Sequence, residues 1–252
     1  MDYNTLGYYS YNYSYLLLML PALVLSFLAQ IMVKVRFARF NKVQSKKNLT
    51  GAQAAQLLLK QSGITNVEVV HISGSLTDNY NPSTKVLSLS DSTYASTSIA
   101  AIGVAAHETG HAIQHHVSYQ PLITRSKLVP AANLGSRFGP ILVMGGILLG
   151  SASVATSRLS SFSNFSNILT MAGIILFSLS VLFYLVTLPV EFNASNRALK
   201  ILKSNGVLEK TEIRGARKVL VAAALTYVAA ALSSIASLLR LLLIAKNNKR
   251  SS

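Results

Sequence analysis

The residues with the clearest chemical potential lie in the stretch "AAHETGHAIQHH" at residues 105–116. Within it, His107, Glu108 and His111 follow the order H-E-x-x-H. On a helix, side chains four residues apart lie on one face, so the two histidines can direct their imidazoles at one metal ion. Glu108 can reach a water on that ion without binding the ion itself. The pattern indicates a zinc site, and the simpler alternative is a helix with two unrelated histidines.

A catalytic zinc ion usually takes three protein ligands, so a third ligand must come from elsewhere in the chain. The chain has no Cys, which leaves His, Asp and Glu. The metzincin pattern is excluded, because Gln114 and Val117 occupy the positions where it needs Gly and His. His115 lies one further turn along the helix, and three ligands strung along a straight helix span about 12 Å, too far for bonds of about 2 Å. His71 lies on a predicted strand with no supporting pattern.

Glu191 is the most distinctive of the remaining carboxylates. It directly follows an apolar segment in "LPVEFNASNRALK", where a carboxylate is costly unless it is paired or bound. The helical period of the residues after it predicts that Glu191 projects from the first turn of a helix. The alternative is an interfacial carboxylate paired with Arg197. The other carboxylates outside the motif are Asp2, Glu68, Asp78, Asp91, Glu209 and Glu212.

The composition indicates that these residues belong to a membrane protein. Of the 252 residues, 51% are hydrophobic and 12% are charged, and that charged share is about half the usual value for soluble domains. A membrane-spanning helix needs about 20 apolar residues. Four segments approach or exceed that length, and they make long buried helices of a soluble protein an unfavourable alternative. They are residues 16–33, 138–154, 167–190 and 219–245, the last of which contains Arg240.

The net charge of +15 is explained by basic residues that flank the apolar segments. They cluster in residues 34–47 and 191–218, which favours membrane topology and anionic headgroups over nucleic acid. Basic flanks stay in the cytoplasm, so residues 1–15 are expected outside and the region after the first segment inside. The Tyr-rich N-terminus lacks the basic region of a cleaved signal peptide, which predicts an uncleaved anchor. The first half of the fourth segment is expected to pack near the metal, and its second half to lie along the membrane surface with the C-terminus inside.

The polar region after the first segment predicts a small α+β unit around the metal-binding helix. Its first helix has Thr50 as a plausible N-cap and Gly63 just past its end. The predicted elements are a short helix at 48–63, strands at 67–72 and 85–90 joined through a turn at 79–83, and a helix at 97–117 that carries H-E-x-x-H.

Four stretches give the chain a resemblance to a known family: "LTDNYNPSTKVLSLS", "AAIGVAAHETGHAIQH", "LPVEFNASNRAL" and "AALTYVAAAL", in this order. Together they resemble the bacterial membrane zinc metallopeptidases of the YugP family, over nearly the whole chain. The layout is also similar to that of HtpX-like membrane gluzincins. The resemblance implies that His107, His111 and Glu191 are zinc ligands and that Glu108 is the catalytic base.

One position departs from the wider gluzincin pattern. Those enzymes commonly carry an Asp four residues after the ligand Glu, where it orients a ligand histidine. Here that position is Ser195, with Asn193 and Asn196 nearby. A Ser or Asn oxygen would accept the imidazole N–H more weakly than a carboxylate does.

The predicted fold is a mainly α membrane protein. It combines an α+β zincin-like catalytic region, made of a short strand pair and the H-E-x-x-H helix, with three to four transmembrane helices. The predicted segments are an N-terminal tail and anchor (1–36), the catalytic region (37–137), two transmembrane helices (138–190), a third-ligand helix with a basic segment (191–218) and a C-terminal apolar helix with a basic tail (219–252).

The predicted function is that of a zinc-dependent endopeptidase of the bacterial plasma membrane, with one Zn²⁺ per chain. Its active site is expected on the cytoplasmic side, with the lipid bilayer and a peptide substrate as partners and no nucleic acid. Tyr227, or alternatively Tyr80, is predicted to stabilise the oxyanion, and the strand at 85–90 to offer an edge to the substrate. The alternative is a non-catalytic zinc-binding membrane protein, although such a protein would be expected to have lost Glu108.

Overall fold

The computed structural model describes the backbone of residues 3–155 and 160–251 and the side chains of residues 17–151 and 164–247. The Tyr-rich residues 1–15 therefore lie outside the described side chains. Within the described ranges, a small α+β region follows the first long helix in the sequence and precedes the other three. The long helices are α1 (Tyr3–Asn41), α4 (Gln120–Ala155), α5 (Ser160–Ser204) and α6 (Lys210–Ser251). The elements between α1 and α4 are α2 (Gly51–Gln61), β1 (Glu68–Ile72), β2 (Asn79–Asn81), β3 (Val86–Ser90) and α3 (Ile99–His116).

Each long helix contains a stretch that is long and apolar enough to cross a membrane. These candidate spans are Leu17–Asn41, Gln120–Ser151, Asn164–Ser204 and Lys210–Asn247. Only 11% to 28% of their most apolar windows is buried within the protein. Because large apolar side chains rarely face water in such numbers, a lipid bilayer is the environment that suits them. The prediction of a mainly α membrane protein with three to four transmembrane helices is confirmed, with four candidates.

Helix α5 runs without a break through the point where its sequence turns from apolar to polar. The prediction that Glu191 lies in the first turn of a separate helix is therefore wrong, since α5 begins at Ser160. The buried stripe of the helix continues on both sides of Glu191. It includes Val190, Ala194 and Ala198, which are spaced four residues apart and are 0% exposed. That regular stripe keeps the chain helical although its outer face becomes charged.

The sheet has the two predicted strands and a third strand that the sequence analysis assigns to a turn. Its order is β1-β3-β2, with β1 parallel and β2 antiparallel to β3. Residues 86–88 of β3 are thus paired on both sides, and the prediction that this strand offers a free edge is wrong. The physical reason is the tight loop after β2, where the Asn81 side chain accepts a hydrogen bond from the Ser83 N–H at 2.9 Å and folds β2 back onto that edge.

The helices that surround the sheet begin and end at the predicted signals. Thr50 caps α2 in a reciprocal pair with Gln53, and Gly63 follows the helix end with a φ of 72°. Ser98 caps α3, and its hydroxyl accepts a hydrogen bond from the Ala101 N–H at 3.1 Å. Local hydrogen-bonding residues therefore fix the start of the helix that carries the histidines.

The chain divides into two compact units. One comprises residues 1–26, 124–186 and 228–252, and the other comprises residues 27–123 and 187–227. The second unit contains the sheet, α2 and α3, and its core includes Leu58, Ile102 and Leu202, each 0% exposed. We call it the catalytic unit, after the catalytic region that the sequence predicts within it, and the first the helical unit.

Close helix packing characterises the helical unit. A Cβ on Gly173 of α5 would come within 2.7 Å of the Gly139 carbonyl oxygen of α4, so the two backbones touch there. The second half of α6 packs against the same pair, with Leu241 clustered with Val143 and Phe177. The apolar side chains of this half thus pack against α4 and α5, and its expected place along the membrane surface with the C-terminus inside stays a prediction.

The first half of the fourth apolar segment belongs to the catalytic unit. Val219 clusters with Phe37 and Ala100, and Leu220 joins the core around Ile102. Since Ala100 and Ile102 belong to α3, this half of α6 supports the helix that carries H-E-x-x-H, as the sequence predicts.

Candidate metal centre

His107 and His111 of α3 and Glu191 of α5 lie together within the catalytic unit. His107 Nε2 is 3.2 Å and His111 Nε2 is 3.5 Å from Glu191 Oε2. The two imidazole rings stand nearly perpendicular, at 85°, with centroids 4.8 Å apart. The structure therefore brings together the three residues that the sequence predicts as ligands, although 84 positions separate His107 from Glu191.

The donor set fits a zinc ion. Bonds of about 2.0–2.1 Å in a tetrahedral site place ligand atoms about 3.3 Å apart, close to the two distances to Glu191 Oε2. Two histidines and one glutamate are also a common catalytic zinc set, which leaves a fourth position for water or substrate. The Glu191 side chain is only 2% exposed, and a carboxylate buried to that extent needs a compensating positive charge.

Arg197, the alternative partner that the sequence suggests for Glu191, has other contacts in the structure. The Arg197 Nε donates instead to Asn193 Oδ1 at 2.7 Å, and its guanidinium lies 6.0 Å from the centre of the Tyr119 ring. Glu191 itself lies between the two histidines.

Small residues allow α3 and α5 to cross closely enough to form this cluster. A Cβ on Gly110 would lie 2.6 Å from the Ala194 carbonyl oxygen, so a side chain there would collide with the α5 backbone. Ala106 and Ala194 are both fully buried nearby. The glycine inside H-E-T-G-H therefore sets how near Glu191 comes to the histidines.

Each histidine is oriented through its other ring nitrogen. His107 Nδ1 is 3.1 Å from Ser195 Oγ, and His111 Nδ1 is 3.0 Å from Gln114 Oε1. The Gln114 amide nitrogen donates to the Val190 carbonyl at 2.8 Å, which fixes its oxygen as the acceptor for the His111 Nδ1–H. A proton on Nδ1 leaves Nε2 as the metal-binding atom.

Of these orienting residues, Ser195 is anticipated by the sequence and Gln114 is missed. Gln114 also donates to Asn193 Oδ1 at 3.0 Å, so Asn193 joins the network, whereas Asn196 is exposed. The available signal for Gln114 is its position three residues after His111, on the same helix face.

Glu108 lies next to the ligands and is 8% exposed. Burial raises the pKa of Glu108, and the neighbouring His107 and His111 act in the opposite direction. Its place directly after His107 keeps it beside the ligand pair, as the H-E-x-x-H spacing predicts.

The remaining predicted residues have other surroundings. His71 Nε2 pairs with Asp91 Oδ1 at 2.6 Å, and His115 Nδ1 is 2.8 Å from the Tyr80 hydroxyl. These partners agree with the exclusion of both histidines as ligands. Tyr227 lies on α6 in the catalytic unit with a half-buried side chain, and its role at the oxyanion stays a prediction.

Comparison with known proteins relates the whole chain to zinc peptidases. The family model described as "Putative neutral zinc metallopeptidase" matches residues 15–246, which include the His-His-Glu cluster. The chain is 45% identical over 235 residues to the "Putative membrane protease YugP" of Bacillus subtilis (strain 168), across 93% of this chain and 98% of that protein. The comparison with solved structures found no match.

Proposed function

Because this chain belongs to the zinc metallopeptidase family whose model it matches, we propose that it is a membrane-bound, zinc-dependent endopeptidase. The observation that carries the proposal is the convergence of two imidazole nitrogens and a buried carboxylate oxygen within 4.8 Å of one another. His107, His111 and Glu191 would hold one zinc ion and would leave a position for water or the substrate carbonyl.

Zinc at this site would supply Lewis-acid polarisation of the scissile carbonyl and would lower the pKa of a water molecule towards about 7. Glu108 would accept a proton from the attacking water and would then donate it to the leaving amine. Ser195 and Gln114 hold the imidazoles in the orientation that the ligand set requires. Tyr227 is the proposed donor to the oxyanion, and Tyr80 is the alternative.

The substrate in this proposal is an extended peptide segment. β2 is an edge strand of the sheet and packs beside α3, and the outer side of an edge strand can hydrogen-bond to a peptide backbone. The active site is assigned to the cytoplasmic side of a bacterial plasma membrane. This side is supported by the basic residues 34–47, which directly follow the apolar part of α1.

The proposal is tested by replacing the base while leaving the ligands in place. Glu108→Gln should retain zinc but hydrolyse an unstructured peptide about 10²- to 10⁴-fold more slowly, because the proton acceptor is lost. Zinc content by atomic emission and peptide cleavage would be measured on purified protein in detergent. Glu68→Gln, at an exposed position of β1, is the matched control and should behave as the unmodified protein.

Hydrolysis by Glu108→Gln at the unmodified rate would reject Glu108 as the base. Unmodified protein that contains zinc but cleaves no peptide would favour the non-catalytic zinc-binding alternative.

A further inference from the structure

A recess of about 220 Å³ lies at the end of α3, one helical turn beyond the metal centre. Its apolar walls are Ile64, Val67 and Ala112. Ala112 and His115 belong to the same helix as His111, so the recess lies along α3 near the ligand. The volume is below the range of pockets for drug-sized ligands and suits a single residue of a bound peptide.

The polar groups of the recess are hydrogen-bond donors and bases. They are Asn66, Tyr80, Lys85, His115 and His116, and none of the described residues that line the recess is acidic. In the Tyr80–His115 hydrogen bond of 2.8 Å, one donor remains for another acceptor. It is the Nε2–H of His115 if the tyrosine donates, and the hydroxyl proton if the imidazole donates. Such a lining is complementary to an anion.

Lys85 is held at the recess by an unfavourable backbone conformation. Its φ is 57°, in the left-handed region where glycine or asparagine is more easily accommodated. The Lys85 carbonyl accepts a hydrogen bond from the Glu68 N–H at 3.1 Å, which fixes this turn against β1. Strain of this kind is commonly kept where a side chain must be presented for function.

Tyr80 connects the recess to the proposed path of the substrate. It is the central residue of β2, which is an edge strand of the sheet. From His111 to His115 the helix rises about 6 Å, and an extended peptide rises about 3.3 Å per residue. A peptide with its scissile bond at the metal centre would therefore reach the recess with a residue about two positions away.

We propose that this recess is a substrate subsite that binds a peptide carboxylate about two residues from the scissile bond. The inference rests on the proposed peptidase function and adds to it a preference for acidic substrates. The carboxylate can come from a Glu or Asp side chain or from the C-terminus of the peptide, because both present the same group.

The test uses three peptides and the full-length protein in phosphatidylcholine nanodiscs, which contribute no net lipid charge. Two amidated peptides differ only in Glu or Gln two residues from the cleaved bond. The third has Gln there and a free C-terminal carboxylate at the same distance. The unmodified protein should show a kcat/KM about tenfold higher for a carboxylate peptide than for the neutral one, which corresponds to about 1.4 kcal/mol. Lys85→Gln should bring this ratio close to one, whereas Lys85→Arg should keep it.

Lys60→Gln is the matched control, because Lys60 is an exposed lysine of α2 that does not line the recess, and it should keep the ratio. A preference for the Glu peptide identifies a side-chain carboxylate, and a preference for the free C-terminus identifies the terminal one. Equal cleavage of all three peptides, or a preference that survives Lys85→Gln, would overturn the subsite.

A binding measurement separates this inference from the proposed function. Fluorescence anisotropy with Glu108→Gln protein reports peptide affinity without hydrolysis, and the carboxylate peptide should bind about tenfold more tightly, in a manner that depends on Lys85. If the unmodified protein cleaves nothing but this preference is present, the peptidase proposal fails and the subsite stands. If peptides are cleaved but the carboxylate peptide and the neutral peptide bind with equal affinity, the subsite fails and the peptidase proposal stands.

Discussion

Both histidines of the metal centre are oriented by neutral groups. Ser195 Oγ contacts His107, and Gln114 Oε1 contacts His111, whereas many zinc enzymes use a carboxylate for at least one such contact. A neutral acceptor attracts the Nδ1 proton less strongly than a carboxylate does. Each imidazole is therefore less basic and a weaker electron donor to the metal. Zinc held at this site should in consequence be a stronger Lewis acid than zinc with a carboxylate behind its histidines.

The ligand set can be tested at the same scale by removing the charge of Glu191. Glu191→Gln should lower zinc affinity by more than about 100-fold, because even the loss of an orienting residue costs 10- to 100-fold. Zinc retained after dialysis against a chelator of known affinity is the measurement. Glu209→Gln is the control, since Glu209 is an exposed carboxylate that pairs with Lys46, and equal zinc loss in both variants would contradict Glu191 as a ligand.

The elements show where reading the sequence succeeds and where it fails. The sequence predicts α2 and α3 closely, because their ends are set by local residues such as Thr50 and Ser98. It misses β2, which has only three residues and exists through its pairing with β3. It also misses the continuity of α5, because the polarity of its exposed face changes at Glu191 while its buried stripe does not.

In the metal centre, too, residues marked by a local sequence signal can be predicted, whereas residues defined by distant contacts cannot. The cost of a carboxylate beside an apolar segment makes Glu191 recognisable from local sequence. The role of Gln114 depends on the Val190 carbonyl, 76 positions away, and no local pattern reports such a contact.

The crossing of α3 and α5 gives a prediction at the scale of elements. Gly110→Ala should lower zinc affinity at least about tenfold and destabilise the fold by about 1–3 kcal/mol, because the new Cβ pushes the Ala194 backbone and Glu191 away. Zinc retention and Tm would be measured together. Gly145→Ala is the matched control, since the nearest atom to its Cβ would be Leu169 Cδ2 at 3.7 Å, an ordinary contact. Unchanged zinc retention in Gly110→Ala would contradict the importance of this contact.

For the whole molecule, the packing of α6 and the distribution of charge predict different topologies. Basic residues near the C-terminus favour a tail inside the cell. The contacts of Leu241 with Val143 and Phe177, however, place the second half of α6 beside α4 and α5. If all four candidate spans cross, the chain makes an even number of crossings and both termini lie on the side opposite the metal centre.

The absence of Cys from the chain provides a clean topology test. Single cysteines at Ser62, Ser83 and Ser251 would be probed in intact cells with a membrane-impermeant thiol reagent. The packing of α6 on α4 and α5 predicts labelling at position 251, and the proposed cytoplasmic site predicts none at positions 62 and 83 in the catalytic unit. Permeabilised cells, in which all three should react, are the control, and protection of position 251 in intact cells would show that the charge distribution prevails.

The 84 positions between His107 and Glu191 also correspond to an interval during protein synthesis. A ribosome adds about 5–20 residues per second, so the two histidines and Glu108 precede the third ligand by roughly 4 to 17 seconds of synthesis. During that interval the ribosome makes α4 and most of α5, which contain two of the candidate membrane spans. The nascent chain therefore lacks Glu191 throughout that interval, and the metal centre of the proposed peptidase would be complete only after α4 and most of α5 have been synthesised.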